Sequence, residues 1–303
     1  MLLKSIIDKM DLEINYELSD EKEFETLALV GEKLSKRICT FIDDERYLDS
    51  ISSSVVMIIT TKKIRNMLCA NKHIGFCVVE NPRLLYFKIH NFLSCDERYV
   101  RKDYNTEIDA SAQINPLSSI ASKNVTIGKN VIIEEFVVIR EGTIIGANSI
   151  IHAGSIIGGG GFELKREQDR ILSVKHLGGV IIGENVEIKH NVVIDKALYP
   201  WDNTIIDDYS KIDSLVEIAH GVKIGKSTMV IATAAIFGRT VVGDECRIGP
   251  GAIIRNAIKI GDKSNVNLGS VVTKDVEKQG TVTGNFAVNH ATFIKKFKNY
   301  YDL

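Results

Sequence analysis

The chain has 303 residues, with 38 Lys and Arg against 39 Asp and Glu, and 45% of it is hydrophobic. This is the composition of a globular chain long enough for one large or two ordinary domains, and its charge balance argues against nucleic-acid binding, which needs a basic excess. Charged residues interrupt the N-terminal stretch and no segment reaches the roughly 18 apolar residues of a membrane span, so we expect a cytoplasmic protein.

Residues 1–100 are predicted to form a small α/β domain. Segments 54–61 and 73–80 are typical of strands, and 62–70 is typical of a helix. Asn81 and Pro82 have the residue types of a helix N-cap and first turn, so a second helix is expected through Leu93. The polar stretch 101–107 is the predicted linker. The five cysteines are scattered without a C-x-x-C spacing, which indicates reduced thiols.

Beyond residue 107 the chain has an internal repeat of six residues. Steps of six from Ile127 to Ile157, and again from Ile182 to Val272, meet 22 positions, of which 21 are Ile or Val. The residues two before each of these are mostly small or β-branched, and none of the 44 is charged. A period of six fits neither an α-helix nor a simple alternating strand.

A six-residue unit is one short strand plus a corner, and three units close a triangular coil of 18 residues. The repeat therefore predicts a left-handed parallel β-helix of seven to eight coils over 108–288, in a mainly β protein. Glycine often follows the core aliphatic residue, as at Gly128 and Gly146, and we expect these glycines to provide the permissive backbone of the corners. A short amphipathic helix over 289–303 is expected to dock on a coil or on a neighbouring subunit.

Two segments interrupt the coils. Residues 158–179 leave the period and are charged, so a projecting loop is predicted there. Residues 195–203 keep the count but place Pro200 and Trp201 where a core Ile belongs. Such loops either line a binding face or are surface loops without a binding role.

His220 is the strongest candidate for chemistry. It lies at a corner, and the residue 18 positions later, one coil away, is Gly238. An imidazole can accept the proton of an attacking amine while a bare backbone N–H stabilises an oxyanion, which is the minimum requirement for acyl transfer. His152 and His190 are interpreted as corner residues, and no histidine pair has the spacing of a helical or hairpin metal site, so no metal is expected. Cys246 is expected to point inward as a structural thiol.

The motifs IDSLVEIAHGVKIG at 212–225, IGGGGF at 157–162 and IDKALYPWDNTII at 194–206 resemble those of the left-handed β-helix acyltransferases, and among these the UDP-3-O-acylglucosamine N-acyltransferases of lipid A synthesis. The resemblance covers most of the chain. It implies a homotrimer with active sites between neighbouring subunits, His220 as the base and Gly238 as the oxyanion donor. It also implies that Phe41 and Tyr47 surround a uracil-type base, with Asp44 where the family usually has Asn, and that Asp213 contacts the substrate.

The chain departs from that family in two ways. Ala257 stands where relatives have a second histidine, and only about a dozen residues follow His290. The segments GSVVTKDV at 269–276 and VTGNFAV at 282–288 resemble the closing coils of acyltransferases that use coenzyme A and nucleotide-linked amino sugars. This implies coenzyme A as the acyl donor, with Lys274 and Gly284 flanking its pantetheine arm.

The sequence thus predicts an N-acyltransferase that moves an acyl group from acyl-coenzyme A to a dTDP- or UDP-linked amino sugar for surface glycans. The first alternative is the acyl-carrier-protein-dependent UDP-3-O-acylglucosamine N-acyltransferase of lipid A synthesis. The second is a catalytically silent, sugar-binding solenoid.

Overall fold

The computed structural model describes residues 1–68, 73–284 and 287–301. The chain folds as two compact units. Unit 1 comprises 1–104, 160–179 and 196–203, and unit 2 comprises 105–159, 180–195 and 204–303. None of the described helices is both long and apolar enough to cross a membrane.

Unit 1 is an α/β unit built on a five-stranded sheet with the order β1-β5-β4-β3-β2, in which only the β1–β5 pair is antiparallel. Its strands are β1 Glu17–Ser19, β2 Thr26–Leu27, β3 Ile38–Ile42, β4 Val55–Thr60 and β5 Gly75–Val78. Its helices are α1 Leu3–Lys9, α2 Lys62–Met67 and α3 Pro82–Leu93, with a 3-10 helix at Glu45–Ser50.

Helix α3 begins where the sequence predicts. The Asn81 side chain accepts a hydrogen bond from the Leu84 N–H at 3.0 Å, and Pro82 occupies the first turn, where its missing N–H costs nothing. The helix buries Tyr86 and Ile89 completely. The helix α2 is shorter than predicted, and Cys69 lies outside the described residues; the other four cysteines form no disulfide.

The two interruptions of the repeat belong to unit 1. Residues 164–173 form an antiparallel hairpin of strands Leu164–Glu167 and Arg170–Ser173. Trp201 stacks on Tyr199 at 5.4 Å between ring centroids and donates its indole N–H to the Leu27 carbonyl at 2.9 Å. Residues 196–203 interrupt the coils, as the sequence indicates: Ile194 pairs directly with Ile218, so the coil omits this segment and Pro200 and Trp201 take no core position in it.

Unit 2 is the predicted parallel β-helix, with three parallel sheets of eight, nine and eight strands that we call face 1, face 2 and face 3. The strands of face 1 are Glu107–Ile108, Val125–Ile127, Thr143–Ile145, Gly179–Ile182, Asn203–Ile206, Lys223–Ile224, Val241–Val242 and Lys259–Ile260. The strands of face 2 are Gln113–Ile114, Ile132–Ile133, Ile150–Ile151, Glu187–Ile188, Lys211–Ile212, Met229–Val230, Arg247–Ile248, Asn265–Val266 and Thr281–Val282. The strands of face 3 are Ser119–Ile120, Val138–Ile139, Ile156–Gly159, Val193–Asp195, Glu217–Ile218, Ala235–Ile236, Ile253–Ile254 and Val271–Val272.

The interior of the β-helix is the aliphatic stack that the repeat predicts. Nearly all of the repeated Ile and Val residues are fully buried in one continuous cluster. Most of the small polar residues among them bond to a neighbouring coil: the Ser149 hydroxyl, for example, donates to the Gly183 carbonyl at 2.8 Å and accepts from the Val186 N–H at 3.0 Å. The buried hydroxyls of Thr143 and Ser270 are exceptions, with no hydrogen-bond partner among the described residues. Cys246 is buried, as predicted, and burial raises the pKa of its thiol.

The corners correct our expectation about glycine. Apart from Gly158, the glycines that directly follow a core aliphatic residue are not left-handed. In unit 2 the left-handed residues, Asn124 and Gly158 excepted, each lie three positions after a core Ile or Val: Asn130, Phe136, Gly142, Asn148, Gly154, Asn185, Asn191, Tyr209, Leu215, Gly221, Ser227, Thr233, Arg239, Glu245, Gly251, Ala257, Lys263, Gly269 and Gln279. The glycines after the core aliphatics are needed for close stacking instead. A Cβ on Gly146 would lie 2.6 Å from the Gly183 backbone of the next coil.

A C-terminal helix, His290–Tyr301, follows the last coil, as predicted. Phe293 and Tyr300 are exposed on it. The sequence predicts an apolar face of Phe293, Ile294, Phe297, Tyr300 and Tyr301, of which the side chains of Phe297 and Tyr301 lie outside the described residues.

Candidate active site

His220 is held at the corner that follows face 3. It comes two residues after the buried Ile218, and Gly221 behind it has φ of +70°, so the chain turns sharply here. The Gly221 N–H donates to the Thr204 hydroxyl at 2.8 Å, and that hydroxyl donates to the Asp195 carbonyl at 2.6 Å. The backbone that positions the imidazole is therefore fixed by hydrogen bonds to the preceding coil.

Gly238 lies beside His220 in the next coil, as the 18-residue spacing predicts. Ile218 and Ile236 pair in register, and a Cβ built on Gly238 would lie 2.7 Å from His220 Nε2 and 2.8 Å from Cε1. A side chain at 238 would therefore require the imidazole to move from this position. The Gly238 carbonyl accepts from the Ala257 N–H at 3.0 Å, whereas its own N–H donates to no residue that the structure describes. Gly238 is buried in the single chain and His220 is half-buried.

Asp195 is a further titratable group on the same corner line, and our sequence analysis did not single it out. It precedes Ala219 by one coil, since Ile194 pairs with Ile218. Its side chain is buried, and desolvation, followed by the nearby Glu217 charge, raises its pKa to about 6. The sequence contained a signal for it: Asp195 directly follows a core Ile, at the same offset as Ala219.

The residues expected around a nucleotide base lie in unit 1, on different elements. Phe41 is on β3, and its ring centroid lies 4.9 Å from that of Tyr86 and 5.9 Å from that of Phe87. Tyr47 is 44% exposed on the 3-10 helix. Within the described part of the chain, these two rings make no contact with each other.

Asp44 has a local structural role. Its carboxylate caps the 3-10 helix by accepting from the Arg46 N–H at 2.9 Å, and it also pairs with the Arg46 guanidinium at 2.6 Å. The side-chain hydrogen bond from Arg46 lowers the pKa of this carboxyl to about 2. The Asp in place of Asn is therefore an ionised acceptor that its own helix already engages.

The remaining predicted site residues are dispersed along the β-helix. Asp213 lies at the corner after face 2, where it accepts from the Ser214 N–H at 2.7 Å and from the Ala232 N–H at 3.2 Å. Lys274 is exposed at the corner after face 3. It occupies the position equivalent to Gly238 two coils further on, because Ile236, Ile254 and Val272 pair in register. Gly284 is packed so closely on the last coil that a Cβ would lie 2.7 Å from the Gly269 carbonyl oxygen.

Another cluster of chemically active side chains lies at the corner after face 2. Glu134, His152 and His190 each offer a ligand atom, and these atoms lie within 4.8 Å of one another. The sequence analysis missed this group because the insertion 160–179 separates His152 from His190 along the chain. The spacing of Glu134 and His152, one coil of 18 residues, was the available signal.

Comparisons with known proteins agree with the repeat. Residues 124–159 match the family model described as bacterial transferase hexapeptide (six repeats), and residues 239–274 match that described as hexapeptide repeat of succinyl-transferase. Among curated proteins, UDP-3-O-acylglucosamine N-acyltransferase of Delftia acidovorans is 34% identical over 132 residues, which are 44% of this chain and 39% of that protein. The enzyme of the same name from Bordetella avium is 40% identical over 111 residues, 37% of this chain and 30% of that protein.

The matched regions thus span about two fifths or less of the length of those relatives. Among solved structures, LpxA from Acinetobacter baumannii has a TM-score of 0.49 and 23% identity, and the match covers 62% of this chain and 77% of that one.

The fold and the repeat define a hexapeptide-repeat protein with a parallel β-helix. The family models and the sequence relatives together fit a hexapeptide-repeat acyltransferase.

Proposed function

We propose that this protein is an N-acyltransferase that transfers an acyl group from a thioester to the amine of a UDP-linked amino sugar. The observation that carries the proposal is the His220 imidazole lying against the bare backbone of Gly238. The printed name of the relatives supports a UDP-sugar acceptor. It favours the first alternative from the sequence, a UDP-3-O-acylglucosamine N-acyltransferase, over a dTDP-linked acceptor.

In the proposed reaction the sugar amine attacks the thioester carbonyl carbon. His220 accepts a proton from the attacking nitrogen, and the Gly238 N–H donates a hydrogen bond to the oxyanion of the tetrahedral intermediate. The C–S bond then breaks, the amide forms, and the leaving thiolate takes the proton from the imidazolium. A thiolate is itself a competent base, so the alternative role of His220 is to position the amine.

The other residues have proposed roles in binding. Phe41 and Tyr47 would contact the nucleotide base, and Asp213 the sugar. Lys274 and Gly284 would flank the arm of the thioester donor, either coenzyme A or an acyl carrier protein. Lys274 is exposed and lies two coils beyond Gly238 at the equivalent corner position, which supports a role in binding the donor.

We also propose a homotrimer, and the outward side of face 3 supports it. The residues that point outward from this face are mostly apolar: Val138, Ile156, Val193, Ala235, Ile253 and Val271, interrupted by Glu217. Ile253 is 43% and Val271 is 66% exposed in the single chain. A largely apolar and partly exposed stripe of this kind is typical of an interface between protein chains.

The test is a donor and acceptor screen with release of free thiol as the readout. UDP- and dTDP-linked amino sugars are each paired with short-chain and long-chain acyl-coenzyme A and with acyl-carrier-protein thioesters. We expect thiol release with a UDP-linked acceptor. If nucleotide sugars bind but no pair releases thiol, the catalytic proposal fails in favour of the silent solenoid.

His220→Ala separates the two roles of the imidazole. If His220 is the base, we expect kcat/KM to fall by about 10²-fold or more, because general-base catalysis typically contributes this much. A loss of only a few-fold, mainly in KM, would mean that His220 positions the amine.

A further inference from the structure

The corner that follows face 2 brings three potential metal ligands from successive coils together. Glu134 and His152 each come directly after a core Ile, and Ile133 pairs with Ile151 in register. His190 belongs to the next coil, where Ile188 pairs with Ile151. The pairing of these strands fixes the positions of the three residues along the β-helix axis. The side chains therefore lie together because the coils stack in register.

His152 has an unusual environment, because each ring nitrogen faces a carboxylate. Its Nδ1 lies 2.9 Å from Glu134 Oε1, and its Nε2 lies 3.1 Å from Glu187 Oε1. A neutral imidazole has one N–H, so it can donate to only one of them, and the lone pair of its other nitrogen then faces an oxygen anion. A cation held between one ring nitrogen and its carboxylate removes this repulsion.

The geometry favours the cation on the Glu134 side. The His190 ring lies next to His152, with 5.1 Å between centroids and 34° between planes, and it supplies the third ligand atom there. Glu134 is itself anchored by the Ala153 N–H, which donates to its Oε2 at 3.0 Å and leaves Oε1 directed at the ring. Ligand atoms of a tetrahedral zinc site with bonds of about 2.0–2.1 Å lie roughly 3.3 Å apart, so the three ligand atoms, which lie within 4.8 Å of one another, would have to approach by up to about 1.5 Å.

The Glu187 side completes the arrangement. A metal-bound histidine usually donates its second N–H to a carboxylate, which fixes the tautomer and orients the ring. Glu187 is placed to accept that N–H, while Lys189 pairs with the same carboxylate at 2.5 Å and Lys211 lies 3.7 Å from its other oxygen. These lysines balance the charge of Glu187 and leave that of Glu134 for the cation.

We propose that Glu134, His152 and His190 bind one divalent transition-metal ion of the Zn²⁺ type, with Glu187 as the carboxylate that orients His152. Two imidazoles and one carboxylate are a ligand set that Zn²⁺ accepts, and the fourth position would hold water. The ion would join three successive coils. The site lies at a different corner from His220 and does not depend on the proposed acyl transfer.

The test is Co²⁺ titration of the full-length, chelator-treated protein, followed by visible absorption and calorimetry, with Zn²⁺ as competitor. We expect one Co²⁺ per chain with micromolar or tighter affinity and visible bands typical of four-coordinate Co²⁺. Zn²⁺ should displace it and raise Tm by several degrees. Saturation at less than one ion per chain, or an affinity weaker than the micromolar range, would overturn the proposal.

Variants locate the site. His190→Gln and Glu134→Gln change side chains at a solvent-accessible corner, and each should weaken Co²⁺ binding at least 100-fold without changing Tm of the metal-free protein. Glu187→Gln should weaken it about 10-fold at unchanged stoichiometry, within the range for outer-sphere partners. His290→Ala and His220→Ala are the matched controls and should bind Co²⁺ as the wild type does. Equal weakening in the controls would show nonspecific binding and refute the site.

Discussion

His220 and Gly238 constrain each other, because the imidazole occupies the space where any other side chain at 238 would begin. The φ of Gly238 is not in the left-handed region, so the backbone alone does not require glycine. The requirement is steric, and it can be measured without substrate.

Gly238→Ala is expected to lower the free energy of unfolding by about 1–3 kcal/mol, the usual cost of overpacking. In a His220→Ala background the ring is gone, and the same substitution should be close to neutral. Denaturant unfolding of the two single variants and the double variant measures this coupling. Equal costs in both backgrounds would mean that the ring is not seated on Gly238.

Asp195 should make stability depend on pH in an unusual direction. Its folded-state pKa of about 6 lies above the ordinary value of about 4, so its contribution to stability is greatest below pH 4 and is lost as the pH rises through 6. Between pH 4 and pH 8 the wild type should therefore lose up to about 3 kcal/mol of unfolding free energy relative to Asp195→Asn. Urea unfolding across this range checks it, and a pH-independent difference contradicts the burial of an ionisable group.

At the scale of secondary-structure elements, the insertions are integral parts of unit 1. On α3, His90 is buried; one ring nitrogen lies 2.8 Å from the Tyr99 hydroxyl and the other 2.8 Å from the Lys175 carbonyl beyond the hairpin. The residue thus joins α3 to a segment that is distant in sequence.

Acidification should loosen this contact. Burial lowers the pKa of His90 to about 4, below the ordinary 6.5, so its contribution is complete above pH 6.5 and is lost as the pH falls toward 4. The loss amounts to about 3 kcal/mol. We expect hydrogen exchange at the α3 amides to accelerate in this range, beyond the intrinsic effect of pH, and the acceleration to be absent in His90→Gln. Unchanged protection of α3 at pH 4.5 would disprove the assignment.

The sequence predicted those elements whose physics is local or periodic. Asn81 and Pro82 mark the start of α3 by short-range chemistry, and the six-residue period predicts which side chains stack. The packing of residues 160–179 and 196–203 could not be predicted. These segments lie outside the repeat, and the neighbouring sequence does not indicate what Trp201 packs against. The same insertions shift the register, which hid Asp195 and the grouping of His152 with His190. The pairing of His220 with Gly238 was predictable because no insertion lies between them.

At the scale of the whole molecule, the apolar stripe on face 3 makes the proposed trimer testable. Ile253→Glu places a charge on the stripe between Ala235 and Val271, and it should convert a particle of roughly 100 kDa into one near the 33.6 kDa of the single chain. Lys259→Glu, which changes an outward residue on face 1, is the matched control and should leave the mass unchanged. Light scattering after size-exclusion chromatography measures both; a wild type that elutes as a monomer would refute the assembly.

The left-handed corners of the β-helix are positions where substitution could raise its stability. Bulky or branched residues such as Phe136, Tyr209 and Leu215 adopt a backbone conformation that costs an ordinary L-residue roughly 1–2 kcal/mol. Replacement by glycine or asparagine would recover part of that cost, and because Phe136 lies three coils from Tyr209 and Leu215, its gain should add to theirs. Several such exchanges, made away from His220, offer a route to a heat-resistant scaffold with its interior untouched.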